Sequence, residues 1–112
     1  MDMQVQLRDG ITVVTLTGEL SDPDQEFIDE LTTATARPAA RVLIDLSGVP
    51  YLNSSGIGLL VRAVAQAHTV ESRVALAGLT PFVKGVMEVT KLTNYFKIFP
   101  SVADAAAALR QP

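Results

Sequence analysis

Residues 42 to 61 read Val-Leu-Ile-Asp-Leu-Ser-Gly-Val-Pro-Tyr-Leu-Asn-Ser-Ser-Gly-Ile-Gly-Leu-Leu-Val, and this stretch limits what the chain can fold into. It begins as a nearly continuous apolar run with β-branched residues. A strand buried on both faces has that pattern. Ser47-Gly48-Val49-Pro50 then breaks the strand. From Asn53-Ser54-Ser55-Gly56-Ile57-Gly58 onward, apolar residues fall at Ile57, Leu60, Val61 and Val64, a helical spacing. Ser54 and Ser55 are thereby expected at a helix N-terminus. Backbone N–H groups there lack intrahelical partners and favour an anion.

The flanking segments extend the same alternation of strand and helix. Gln4–Leu7 and Ile11–Leu16 flank Asp9-Gly10, a two-residue hairpin signal. After Gly18-Glu19-Leu20, Asp22 is expected to cap a helix, with Pro23 in its first position and Gln25 completing a capping box. That helix carries Phe27, Ile28, Leu31 and Ala34 on one face and ends before Pro38. Arg41–Leu46 is the central strand, and a helix from about Ser55 to His68 follows it. Arg73–Gly78 is the next strand. Thr80-Pro81 starts a third helix with Phe82, Val83, Val86 and Met87 expected toward the core. Tyr95–Phe99 reads as a short strand. Ser101, with Asp104 three residues on, caps a last helix with its stripe at Val102, Ala105, Ala106 and Leu109. The expected order is β-β-α-β-α-β-α-β-α. It predicts a single α/β domain over residues 1–112, with a mixed, mainly parallel sheet of about five strands and four helices.

Composition narrows the function. A chain of 112 residues that is 48% hydrophobic and 19% charged can bury a core. The formal net charge of -3, with no basic cluster, argues against direct nucleic-acid binding. The absence of cysteine removes disulfide, thiolate and Cys-nucleophile chemistry and fits a cytoplasmic location. No signal-peptide pattern opens the sequence. The apolar stretch around Ile57–Ala67 is interrupted by Arg62 and is too short for membrane insertion.

Catalysis finds little to work with. The one histidine, His68, belongs at the far end of the helix that the serines begin. At about 1.5 Å of rise per residue it lies roughly 20 Å from them, beyond any Ser-His dyad in one chain. No cysteine and one histidine offer no metal site, and no phosphate loop or dinucleotide fingerprint is present, so no cofactor is expected. The carboxylates of Asp22, Asp24, Glu26, Asp29 and Glu30 read as a solvated helix face. Two explanations of the serine pair stay open: helix capping, which Asn53 can already perform, or a functional surface. Gly56 and Gly58 each cost the helix about 1 kcal/mol against alanine. Such a loss suggests that another backbone or a ligand approaches closely.

Leu43–Gly58 resembles the signature of STAS domains, in particular the bacterial anti-sigma factor antagonists (anti-anti-sigma factors). Their pattern is a hydrophobic strand, a short turn and Asp-Ser-Ser/Thr-Gly-Leu-Gly. Leu16-Thr-Gly-Glu-Leu20, the element order and the length agree with that family, and the resemblance covers nearly the whole chain. It implies a regulatory switch and not an enzyme. An anti-sigma factor that is a serine kinase of the histidine-kinase-like ATPase class binds the unphosphorylated antagonist, which frees a sigma factor. Phosphorylation disrupts the complex, and a PP2C-type phosphatase reverses it. The matching phosphorylated position is Ser54, with Ser55 the alternative. The implied partner-binding residues are Asn53, Ser54, Ser55, Gly56, Ile57, Gly58 and Arg62. Ile57 fits core or interface equally, and so does Tyr51, whereas Met87 and Phe82 are expected in the core. Asn53 replaces the family's usual aspartate, and Ser21 stands where relatives often carry one, with Asp22 adjacent. The alternative these departures motivate is a non-phosphorylated STAS docking or scaffold module, for example an accessory of a transporter or signalling complex.

Overall fold

The central strand is where the sequence puts it. In the computed structural model, which describes residues 2–111, β3 (Arg41–Gly48) is the middle of a five-stranded sheet. The other strands are β1 (Asp2–Arg8), β2 (Ile11–Thr17), β4 (Arg73–Ala77) and β5 (Lys97–Phe99), and the sheet order is β1-β2-β3-β4-β5. The β1–β2 pair is antiparallel and every later pair is parallel. Arg8 pairs with Ile11, so Asp9-Gly10 is the whole hairpin loop. Both loop residues have positive φ, 51° and 79°, the two-residue turn whose twist matches the strands.

Four helices connect or follow the strands: α1 (Gln25–Thr35), α2 (Ser54–Thr69), α3 (Pro81–Val89) and α4 (Val102–Arg110). Residues alternate between the two faces of β3. Val42, Ile44 and Leu46 join the larger core with Leu31, Leu59, Leu60, Ala63, Val83 and Met87, so α1, α2 and α3 share one face of the sheet. Leu43 points the other way and packs with Ile11, Val13, Ala75, Ala77 and the α4 residues Ala105 and Leu109. The small Ala75 and Ala77 side chains let this short helix sit close against the sheet. Ser101 caps α4 as expected, accepting from Asp104 N at 3.1 Å.

Four expectations are corrected. The cap of α1 is Asp24, not Asp22: Asp24 is extended, and its carboxylate accepts from Phe27 N at 2.8 Å. Asp22 has φ 46° and cannot fill that role, because an N-cap residue is extended. The last strand is shorter than Tyr95–Phe99. The N–H groups of Tyr95 and Phe96 are taken by Leu92 O at 3.0 and 3.2 Å, which makes a turn and leaves Lys97 as the first residue free to pair. Phe82 is not a core residue. It is 49% exposed, and the buried stripe of α3 is Val83 and Met87. Thr80 precedes Pro81 at the start of α3 as expected, but its hydroxyl donates to Val49 O at 3.0 Å instead of capping. That bond ties the start of α3 to the loop between β3 and α2.

Candidate functional site

The first turn of α2 is held from two directions. Asn53 is extended, and its Oδ1 accepts from Gly56 N at 3.1 Å, so the expected cap is formed. The neighbouring chain after β2 supplies the second hold. Leu20 and Leu52 form an isolated parallel bridge. Leu20 N donates to Tyr51 O at 2.9 Å, and Asn53 N donates to Leu20 O at 3.3 Å. Leu20 and Leu52 are both buried. The loop that presents the serines is therefore anchored on apolar side chains and paired backbone. Asn53→Ala should lose about 1 kcal/mol of stability in urea unfolding, the usual worth of an N-cap. Asn53→Asp keeps the capping oxygen and adds charge at the positive helix end, so it should gain about 0.3–1 kcal/mol.

The two glycines of the first turn have different reasons. A Cβ on Gly56 would meet Leu20 O at 2.0 Å and Leu20 C at 3.0 Å. The close approach that the sequence suggested is made by the chain's own backbone, and Gly56 is buried behind the surface. A Cβ on Gly58 would meet nothing within 4 Å. Gly58 is exposed and keeps the helix surface low beside the serines.

The serines themselves are both exposed but unequal. Ser55 Oγ donates to Asp22 Oδ1 at 3.0 Å, a contact spanning 33 residues. Ser54 Oγ makes no hydrogen bond among the described residues. Ser54, Gly58 and Arg62 are four residues apart, so they line one exposed face of α2. On the Ser55 side, Asp22, Asp24, Glu26, Phe27 and Glu30 surround an open depression of about 330 Å³. One flank of the helix start is thus acidic. Ile57 is half-buried and packs against the larger core.

An aromatic pair continues the surface toward α3. Tyr51 is 40% exposed, and its ring centroid lies 5.2 Å from that of Phe82. Val86 and the exposed Val89 extend an apolar groove from Phe82 along α3. Sequence reasoning left Tyr51 open and put Phe82 inside, because Phe82 lies at helical spacing from Val86. It also missed the Asp22–Ser55 contact, since an Asp-Pro pair before a helix gives no sign of a partner 33 residues away. His68 is in the last turn of α2, at the opposite end from the serines.

Ser55 rests on the Asp22 carboxylate, the one histidine is at the far end of α2, and Ser54 Oγ has no hydrogen-bond partner among the described residues. The arrangement is an exposed hydroxyl at the positive end of a rigid helix, which can accept a group and hold it.

Comparison with known proteins gives concordant matches. The family model described as STAS domain matches residues 2–105. The chain is 26% identical over 111 residues to BtrV of Bordetella bronchiseptica, named as a candidate anti-sigma factor antagonist. That match covers 98% of this chain and 96% of BtrV. Among solved structures, an anti-sigma-factor antagonist (STAS) domain protein from Planctomyces limnophilus superposes with a TM-score of 0.86 at 25% identity. It covers 97% of this chain and 98% of that one. The Bacillus cell fate determinant SpoIIAA, solved in its phosphorylated form, superposes with a TM-score of 0.71 at 20% identity, over 97% of this chain and 100% of that one. At that identity the likeness is one of fold.

Proposed function

The chain belongs to the STAS domain family, and from that premise we propose that it is an anti-sigma factor antagonist switched by phosphorylation at Ser54. In the unphosphorylated form it binds an anti-sigma factor and releases a sigma factor. The partner is a serine kinase of the histidine-kinase-like ATPase class, a PP2C-type phosphatase resets the switch, and the exchange takes place in the cytoplasm. No helix among the described residues is long and apolar enough to cross a membrane.

The observation that carries this reading is the state of Ser54. Its hydroxyl is exposed, is not the helix cap, and sits one residue inside the cap, at the positive end of α2. A phosphate there adds about −1.5 to −2 charges at neutral pH. The helix dipole and free N–H groups offset part of that load within the domain, by roughly 0.3–1 kcal/mol. A partner packed over Ser54, Gly58 and Arg62 gains no such offset. It meets new bulk and a charge stripped of water. The domain stays folded while the complex fails.

The names borne by BtrV and the Planctomyces limnophilus protein support the antagonist reading. The aromatic pair supports a partner that covers more than the serine. Phe82→Ala should weaken partner binding about tenfold by calorimetry, as loss of an exposed aromatic anchor does. The same change should cost less than about 1.5 kcal/mol of folding stability, because it removes little more than the contact with Tyr51.

Incubation with a kinase of this class and ATP, followed by phosphosite mapping, tests the proposal. Label at Ser54 is the expected result. Binding without label would favour the docking-module alternative that Asn53 motivates.

A further inference from the structure

We infer that Asp22 is a positioning residue that selects Ser54 over Ser55 as the phosphoryl acceptor, by holding the Ser55 hydroxyl against its carboxylate. The inference rests on the reading of Ser54 as a phosphorylation site and adds why one of two adjacent, exposed serines is used. The two side chains differ in their hydrogen bonding. Ser55 Oγ donates to Asp22 Oδ1 at 3.0 Å, whereas Ser54 Oγ is unbonded among the described residues.

Asp22 is placed for this task at some cost to the backbone. Its φ of 46° is a left-handed conformation that non-glycine residues adopt uncommonly. The segment that carries it is fixed on one side by the buried Leu20, paired with Leu52, and on the other by Asp24, which caps α1. The carboxylate is thus brought to Ser55 by two anchors that do not depend on Ser55. Asp22 also belongs to the acidic rim formed with Asp24, Glu26 and Glu30.

Two physical effects follow, and both disfavour Ser55. The hydrogen bond fixes the Ser55 side chain toward its own domain and away from an incoming nucleotide. The carboxylate also repels a phosphoryl group arriving at that oxygen. Ser54 Oγ is not held by such a bond among the described residues. In the transfer itself, Ser54 Oγ bonds to the γ-phosphorus of ATP while the bond from that phosphorus to the β–γ bridging oxygen breaks. ADP leaves, and the serine proton passes to a base on the kinase.

The test is phosphosite partition on the full chain, labelled by a kinase of the histidine-kinase-like ATPase class with ATP. The wild-type chain should carry its phosphate at Ser54. In Asp22→Ala, the share at Ser55 should rise about five- to tenfold, the factor an ordinary hydrogen bond is worth. Asp22→Asn keeps an acceptor oxygen but drops the charge, and should restore part of the preference. Ser54→Ala should be nearly unlabelled, and Ser54→Ala combined with Asp22→Ala should take label at Ser55. Partition is the informative readout because a purely structural loss would lower total labelling without moving it between adjacent serines. An unchanged partition in Asp22→Ala, or equal shifts in Asp22→Ala and Asp22→Asn, overturns the inference and leaves Ser54 phosphorylation standing. A wild-type chain labelled mainly at Ser55 overturns it as well. A wild-type chain that such a kinase binds but never labels overturns both.

Discussion

Replacing Gly56 with alanine should remove at least about 3 kcal/mol of stability. The added methyl would stand 2.0 Å from Leu20 O, which is backbone and cannot turn aside. Either the first turn of α2 lifts away or the segment around Leu20 does. Lifting the segment strains the bonds from Leu20 N to Tyr51 O and from Asn53 N to Leu20 O, and it disturbs the buried Leu20 and Leu52 side chains. Overpacking alone costs about 1–3 kcal/mol, and the loosened anchors add to it. Gly58→Ala is the control. Its site is open, so the change should stabilise the domain by up to about 1 kcal/mol through helix propensity. Urea denaturation of the two variants gives opposite signs from chemically identical substitutions two residues apart. Equal effects would show that the first turn of α2 does not rest on Leu20.

Ser54→Asp should weaken the anti-sigma factor complex by roughly 30- to 700-fold, about 2–4 kcal/mol, which is the loss when an interface must bury an unmatched charge. Stability should move the other way. Ser54 follows the cap residue, where a carboxylate complements the helix dipole and contributes about 0.3–1 kcal/mol. Calorimetric titration and thermal unfolding of the same sample separate the two effects. A variant that loses binding only because it unfolds would show that Ser54 serves the helix and not the partner. A variant that binds as the wild type does would exclude Ser54 from the interface.

The fold was legible because its strongest signals are long and periodic. The apolar run of β3, the Asp9-Gly10 turn and the serine cap of α4 each specify their own conformation locally. The errors fell where two local signals competed. Asp22 and Asp24 both precede the Phe27 stripe and both suit a cap, and the choice between them was made by Leu20, whose bridge to Leu52 turns Asp22 toward α2. Phe82 and Val83 both fit an apolar face of α3, but a helix of nine residues on a sheet edge buries only a narrow stripe. At the site, the position of the serines at a helix start and the capping capacity of Asn53 were readable from spacing and residue type. The separate roles of Gly56 and Gly58 were not, because each reason lies in a neighbour that sequence order conceals. Gly56 answers to a carbonyl 36 positions earlier, and Gly58 to empty space.

The Leu20–Leu52 bridge has a kinetic meaning as well as a geometric one. It closes a loop that contains all of α1 and β3, so forming it carries the entropy cost of closing that loop. In an unfolded chain Ser54 and Ser55 are two polar residues without the Asp22 carboxylate, which comes from 33 residues away. The exposed face of Ser54, Gly58 and Arg62 therefore exists only as tertiary structure, and a partner that reads it reads a folded domain.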